Sequence, residues 1–477
     1  MSVTERLARF ALDLRLEDLP EPVREAARLR VLDTLAVGLA GVPEECTRIA
    51  ADVVGELGGK PAATLWGQRE RTSAPQAAFV NGVASHALEY DDITSSAVTH
   101  TSACAVPAML AMVEMLGGSG RHLVESYVVA FELSTRIGWG LVQHLLPCGW
   151  HPNGVLAAIG CAAAGSRLLG ADLSRTRMAM GIGASCSSGI RKNVGTMTKP
   201  FHMGHGARNG VLAALLGAKG YTADPSILEP TKSDLELQSG KPGEGHGRYS
   251  FPETFVGPGH YDLDAMVRGL GELYELGTDS TITRFHPGST FPQAAIDETL
   301  ELIDRHDVQP DQVVAVEVGV TPMCLSIAPY GRPSTGLNAR FSVPYSIAVA
   351  ILDRRAGITQ YTDERVRQPD VQALFERVKV YVPDDFANVT GGWDGGRLTP
   401  VSARVAIRLA DGQELRGERH TTQGYPGWPP TWNDVVVKFE ECAAIVLSPA
   451  QIRRAVDLVA NLESLPNVRT LTAELVP

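Results

Sequence analysis

The chain has 477 residues, 44% hydrophobic and 20% charged, with a net charge of −11. That composition is globular, the length exceeds one ordinary core, and two domains are expected. The acidic balance argues against a nucleic-acid partner, and no uncharged apolar run reaches the roughly 20 residues that cross a bilayer, so no membrane partner is expected either.

The start, MSVTERLARFALDLRLEDLP, is amphipathic and carries acids, unlike the continuous apolar core of a signal peptide. The seven cysteines are odd in number and no pair has CxxC spacing. That fits a reducing, cytoplasmic compartment better than a disulfide framework, and no zinc site is visible. Next, PEPVREAARLRVLDTLAVGLAG places Leu29, Leu32, Ala36 and Leu39 on one helical face, with Gly41 set to end the helix. SACAVPAMLAMVEMLGG, VESYVVAFELSTRIGWGL and ARNGVLAALLGAKGY repeat the pattern, and their Ala and Gly content lets helices approach closely. Strand-like alternation is nearly absent before residue 278.

Within this helical half lie three clusters with chemistry. NGVASHALEYDDITSSAVTH brings together His86, Glu89, Asp91, Asp92 and His100. Three acids so close repel unless they are solvated, bound to cations or sharing protons. A solvated acidic turn capping the helix after Thr99 is the plain alternative. In CGWHPNG, His151 sits at a helix entrance, where partial positive charge favours the neutral base; a ring that only caps or packs there is the alternative. GTMTKPFHMGHGARNG collects Lys199, His202, His205 and Arg208, and CSSGIRKN adds Arg191 and Lys192. Such a cluster suits a carboxylate, unless it is a basic loop facing solvent.

The segment Ser233 to Tyr261 is rich in Gly and Pro and reads as a long loop. No GxGxxG or P-loop occurs, which lowers the prospect of hydride transfer. From residue 278 the texture changes. DQVVAVEVGVT alternates like a half-buried strand, VKVYVP is β-branched, and SARVAIRLADGQELRGER is a hairpin around Asp411-Gly412. PQAAIDETLELIDRH and PYSIAVAILDRRAG are helical between them. TRFHPGSTFP and NARFSVPYS contribute Arg284, His286, Arg340, Ser342 and Tyr345. VVVKFEECAAIVL and SPAQIRRAVDLVANLESL return to helix. The expected architecture is mainly α with an α+β second domain: a helical domain of residues 1–277 and 422–477, and a smaller α+β domain of residues 278–421.

Taken together, NGVASHALEYDD with His100, GWHPNG, TKPFHMGHGARNGVLAALLGAKGY, FSVPYSIAVAIL and VVVKFEECA resemble, in order, the landmarks of the MmgE/PrpD family. The resemblance spans about residues 20 to 460. It implies a large helical domain plus an α+β lid, a site in the cleft between them, a homodimer, and no cofactor or metal. It also implies an enzyme for a small di- or tricarboxylate that works by proton transfer beside a carboxylate. A hydratase- or dehydratase-like lyase is the first reading; an epimerase or racemase, a decarboxylase, or a homologue that only binds are the others. Carried over by position, His100 and His151 would handle protons, Lys199 aided by His202 would pair with the carboxylate, and Asp92 and Glu89 would orient a His or Lys. Thr94, Arg191, Tyr345 and His286 complete the implied pocket. Glu89 stands where relatives often have Asp, and Gly288 or Ser289 where they often have Cys or His; these departures point away from methylcitrate as the substrate.

Overall fold

The computed structural model describes residues 1–230, 249–329, 331–387 and 401–477. It divides into two compact units. The first comprises Met1–Ala87, Asp92–Thr278 and Val435–Pro477; the second comprises Leu88–Asp91 and Asp279–Asp434.

The first unit is helical. Its principal helices are α1 (Val3–Asp13), α2 (Glu21–Ala40), α3 (Glu45–Leu57), α4 (Ala74–Ala87), α5 (Thr101–Leu116), α6 (Gly120–Leu145), α7 (Pro152–Leu168), α8 (Leu173–Ser185) and α9 (Thr198–Ala218). Gly41 caps α2 as the sequence predicts. Apart from Glu21 and its neighbours in the first turns, α2 is buried almost all round, and so are α5 and α7; these are central helices rather than amphipathic surface ones. Before residue 278 the only strands among the described residues of this unit are two-residue fragments such as Ala63–Thr64 and Arg71–Thr72. No helix among the described residues is long and apolar enough to cross a membrane.

Glycine sets the helix spacing. A Cβ on Gly204 of α9 would lie 2.3 Å from the Phe79 carbonyl of α4, and one on Gly82 of α4 would lie 2.8 Å from the Gly204 Cα. On the other side of α9, a Cβ on Gly210 would meet the Cys161 Cβ of α7 at 2.3 Å. Backbones this close admit no side chain, so α4, α9 and α7 form a tight three-helix layer.

The second unit is α+β. Its sheet runs β2-β1-β3-β4, with β1 Val313–Val320, β2 Val378–Tyr381, β3 Ala403–Leu409 and β4 Glu414–Arg419. β2 is parallel to β1; β3 is antiparallel to β1 and to β4. The β3–β4 hairpin turns at Asp411-Gly412, where Gly412 has φ +92°. Alternate residues Ala403, Val405, Ile407 and Leu409 are buried, and helix Gln293–Arg305 packs against β3 and β4.

Two expectations are corrected. Residues 422–434, read from sequence as part of the helical domain, group with the second unit. Tyr425 donates its hydroxyl to the Thr290 carbonyl, and Thr283 N–H bonds the Gly424 carbonyl, tying the segment there. Of the loop expected from Ser233 to Tyr261, residues 233–248 lie outside the described residues, and the remainder contains the helix Phe251–Val256, started by a Ser250/Glu253 capping box.

Candidate active site

Four histidines and a lysine gather inside the first unit. His86 lies in the last turn of α4, His100 and His151 are the N-cap residues of α5 and α7, and Lys199 and His202 lie in the first turns of α9. All five are at most 7% exposed. Ring centroids are 4.5 Å apart for His86 and His100, 6.4 Å for His86 and His151, and 5.2 Å for His151 and His202. Three helix N-termini thus point partial positive charge at one buried place, an arrangement that favours an anion. The close α4–α9–α7 layer is what draws them together.

The CGWHPNG turn is held by a backbone clamp. His151 N–H donates to Gly189 O, Ser188 N–H to Gly154 O, and Arg191 N–H to Gly149 O. A side chain on Gly154 would strike the Ser188 carbonyl at 2.3 Å. The clamp fixes His151 at the helix entrance.

Hydrogen-bond logic assigns the tautomers. His100 Nδ1 lies 2.9 Å from the Asp92 carbonyl, which can only accept; Nδ1 therefore carries the proton and Nε2 is the basic nitrogen. The His100 N–H donates to Asn153 Oδ1, at 2.5 Å, which orients that amide and turns its NH2 toward His151 Nε2 at 3.4 Å. His151 Nε2 is then an acceptor, and its Nδ1–H donates to His202 Nδ1 at 3.0 Å. The neutral His202 presents its proton at Nε2. His100 is thus the ring with its basic nitrogen defined, and His151 is a relay with both nitrogens engaged.

Burial holds His151 well below the usual imidazole range, and the nearby charges of Lys199, His86, His100 and His202 add to it. The helix-end charge expected from sequence is not needed for the depression, since burial is its largest cause. His202 is lowered to about 4, by burial first and then by His86, His205 and Lys199. A histidine with a usual value of 6.5 in the unfolded chain and about 4 when folded binds its proton only in the unfolded state across that window. Folding stability should therefore fall as pH drops from 6.5 toward 4. Denaturation midpoints at stepped pH should show this slope, and His202→Gln should flatten it; a midpoint constant through the window would refute the neutral assignment.

The other implied residues divide. Thr94 is fully buried, and its hydroxyl finds no hydrogen-bond partner among the described residues, which suits a ligand contact. The acidic turn is not solvated: Glu89, Asp91 and Asp92 are 4%, 0% and 1% exposed. Asp92 meets His100 through its carbonyl, and its carboxylate accepts from Ser102. The helix begins after Thr99 as expected, with His100 as its N-cap, but no side chain caps it. Arg191 is exposed on a 3-10 turn, its guanidinium reaching the Leu146 carbonyl at 3.4 Å, and it does not join the buried group.

In the second unit Glu89 has φ +53°, a conformation costly for a non-glycine residue, and its carbonyl accepts from Gly288 N–H. Arg284 is 1% exposed, bonds the Asp91 carbonyl and carboxylate at 2.7 Å each, and lies 3.7 Å from the Glu89 carboxylate. Two implied ligand residues there have their polar atoms already engaged. Tyr345 is fully buried and donates its hydroxyl to the Gln360 carbonyl. His286 has both ring nitrogens engaged, Nδ1 with Ala356 O at 3.1 Å and Nε2 with Asp297 at 2.7 Å. Gly288 is required at its position, because a Cβ would meet the Arg340 carbonyl at 2.3 Å.

His86, Asn153 and Arg284 were given no role from sequence. The first two sit inside quoted motifs, NGVASH and HPNG, where only packing shows which members face the cluster. Arg284 had no signal beyond its charge.

Comparison with known proteins finds two family models and several curated relatives. The model of the MmgE/PrpD N-terminal domain matches residues 5–242, and that of the C-terminal domain matches residues 286–464. Among curated proteins, the cis-aconitate decarboxylase of Homo sapiens is 26% identical over 487 residues, covering 99% of this chain and 94% of that enzyme. The Mus musculus enzyme is 26% identical, covering 99% and 93%, and the cis-aconitate decarboxylase of Aspergillus terreus is 26% identical, covering 98% and 95%.

Proposed function

The chain belongs to the MmgE/PrpD family, and from that premise we propose that it is a cofactor-independent lyase that decarboxylates a small unsaturated tricarboxylate of the cis-aconitate type. The observation that carries the reading is the buried convergence of three helix N-termini with Lys199, His100, His151 and His202. A carboxylate bound there meets a lysine and partial positive charge in a dry setting, where electrostatic stabilisation is strongest.

The chemistry follows from the substrate class. When cis-aconitate loses carbon dioxide from its CH2–COO⁻ arm, the electron pair spreads over the allyl unit and an adjoining carboxylate. Lys199 stabilises that charge as it develops. A proton delivered to the far allyl carbon gives a five-carbon unsaturated dicarboxylate. His100, protonated at Nε2, supplies that proton, while Asn153, His151 and His202 hold the neighbouring polar groups in register. Decarboxylation needs an acid but no initial base.

Elimination or hydration, the first reading from sequence, is the second reading here. The basic Nε2 of neutral His100 favours it, since that atom could abstract a proton beside a carboxylate. The curated relatives shift the order toward decarboxylation.

The test is incubation of the chelator-treated protein with cis-aconitate in deuterated water, followed by NMR and gas analysis. The expected result is carbon dioxide with a product carrying one deuterium. Alkene loss without gas would move the assignment to hydration, and label wash-in with inversion on a saturated acid would move it to epimerisation. Loss of activity on chelation would refute cofactor independence. The homodimer belongs to the same proposal and is checked by light scattering.

A further inference from the structure

We propose that Ser102 is a positioning residue that, through Asp92, locks His100 in its Nδ1–H form. The proposal rests on the reading of His100 as the proton-handling residue and goes beyond it to what fixes that residue's chemistry.

The start of α5 grips Asp92 twice. The Asp92 carbonyl accepts from His100 Nδ1 at 2.9 Å, and its carboxylate Oδ2 accepts from Ser102 Oγ at 2.5 Å. Ser102 is fully buried and Asp92 is 1% exposed. Because the Ser102 proton is committed to the carboxylate, the 2.9 Å contact between Ser102 Oγ and Tyr127 Oη has Tyr127 as donor. Burial, and then the Asp92 charge, hold the Tyr127 phenol well above its usual range, so it remains a donor. Arg30 Nε lies 3.9 Å from the same carboxylate oxygen and supplies a counter-charge. The result is a directed chain, Tyr127 to Ser102 to Asp92, that ends on the residue whose carbonyl faces His100.

The two neutral tautomers of an imidazole differ little in energy, so one well-placed acceptor selects between them. A carbonyl can do so only while its direction is fixed. The loop from Asp92 to His100 is pinned by the Thr94–Thr99 backbone pair, and the buried tether on the Asp92 side chain fixes its first residue. Without the Ser102 hydroxyl, the carboxylate and the Tyr127 hydroxyl each lose a buried partner, which favours rearrangement of the loop. His100 would then gain access to the Nε2–H tautomer without Nδ1–H, which breaks the bond to the Asp92 carbonyl and releases the ring from the orientation in which Nε2 delivers its proton.

The experiment reads the tautomer directly, by 15N–1H correlation of histidine-labelled protein without substrate, with the His100 signals identified by their loss in His100→Gln. The wild-type protein should show Nδ1–H at His100. Ser102→Ala should show a mixture or Nε2–H, with kcat lowered by roughly 10- to 100-fold, the range for loss of an outer-shell partner or a small misplacement, and KM little changed. Ser102→Thr, which keeps the hydroxyl, should restore both. The proposal is overturned by a wild-type His100 that lacks Nδ1–H, a result that requires no variant to fold, or by Ser102→Ala that keeps the wild-type tautomer. A protein that shows the Nδ1–H lock yet does not turn over cis-aconitate would count against the proposed reaction and leave the lock standing.

Discussion

Replacing Lys199 with methionine is expected to lower kcat/KM for cis-aconitate by about a hundred- to a thousandfold, the cost of removing one strong stabiliser of developing negative charge. Methionine keeps much of the aliphatic stem at a position only 7% exposed, so the helix should survive. The same change has an independent signature. Lys199 is one of the causes that depress His151 and His202. Without its charge both imidazoles should titrate higher, so the acid-side loss of stability should end at a higher pH and be smaller in total. Steady-state kinetics with NMR titration of the two rings reads both effects. Unchanged kcat/KM would remove Lys199 from the chemistry, and unchanged ring titration would show that its charge does not reach them.

The second large effect concerns stability. Lys438, from the helix Trp432–Ala443, lies 2.6 Å from Asp33 of α2, with both side chains 1% exposed. Taking two charges this far from water is costly, and removing only one strands the other. Lys438→Met should therefore destabilise the protein by about 3–5 kcal/mol. The double variant Asp33→Leu with Lys438→Met should recover most of that loss, because an apolar pair fills the space with no charge to desolvate. Denaturant unfolding of the wild-type, single and double variants decides the matter. A double variant as unstable as the single one would mean the pair contributes packing rather than charge compensation.

The sequence carried the periodicities that build the fold. The helices of the first unit and the strands from Val313 to Arg419 follow from apolar spacing, Gly caps and the Asp411-Gly412 turn, all local signals. The membership of residues 422–434 was not legible, because it depends on Tyr425 and Gly424 finding partners near Thr283 and Thr290. The candidate site shows the same division. His100, His151, Lys199 and His202 stood out through clusters of charged and imidazole side chains that fall on the family's landmarks. Tyr345 and His286 looked equally suitable, but which hydroxyl or ring nitrogen is already committed is a three-dimensional fact. Gln360, Ala356 and Asp297 commit theirs. Asp92 was singled out, yet whether its carbonyl or its carboxylate faces His100 could not be read from a string of letters.

The bare backbone crossing at Gly82 and Gly204 has a consequence for how such a protein can change. It works as a ruler: the separation of His86 from Lys199 and His202 is set by two main chains in contact, with no side chain between them to trim. A roomier cavity cannot be reached there by small steps, since the first added carbon already collides. Residues 93–99, between Asp92 and His100, hold no helix and carry no such crossing. The spacing of the buried histidine cluster is thus fixed by main chain, while the neighbouring turn is not bound by that constraint.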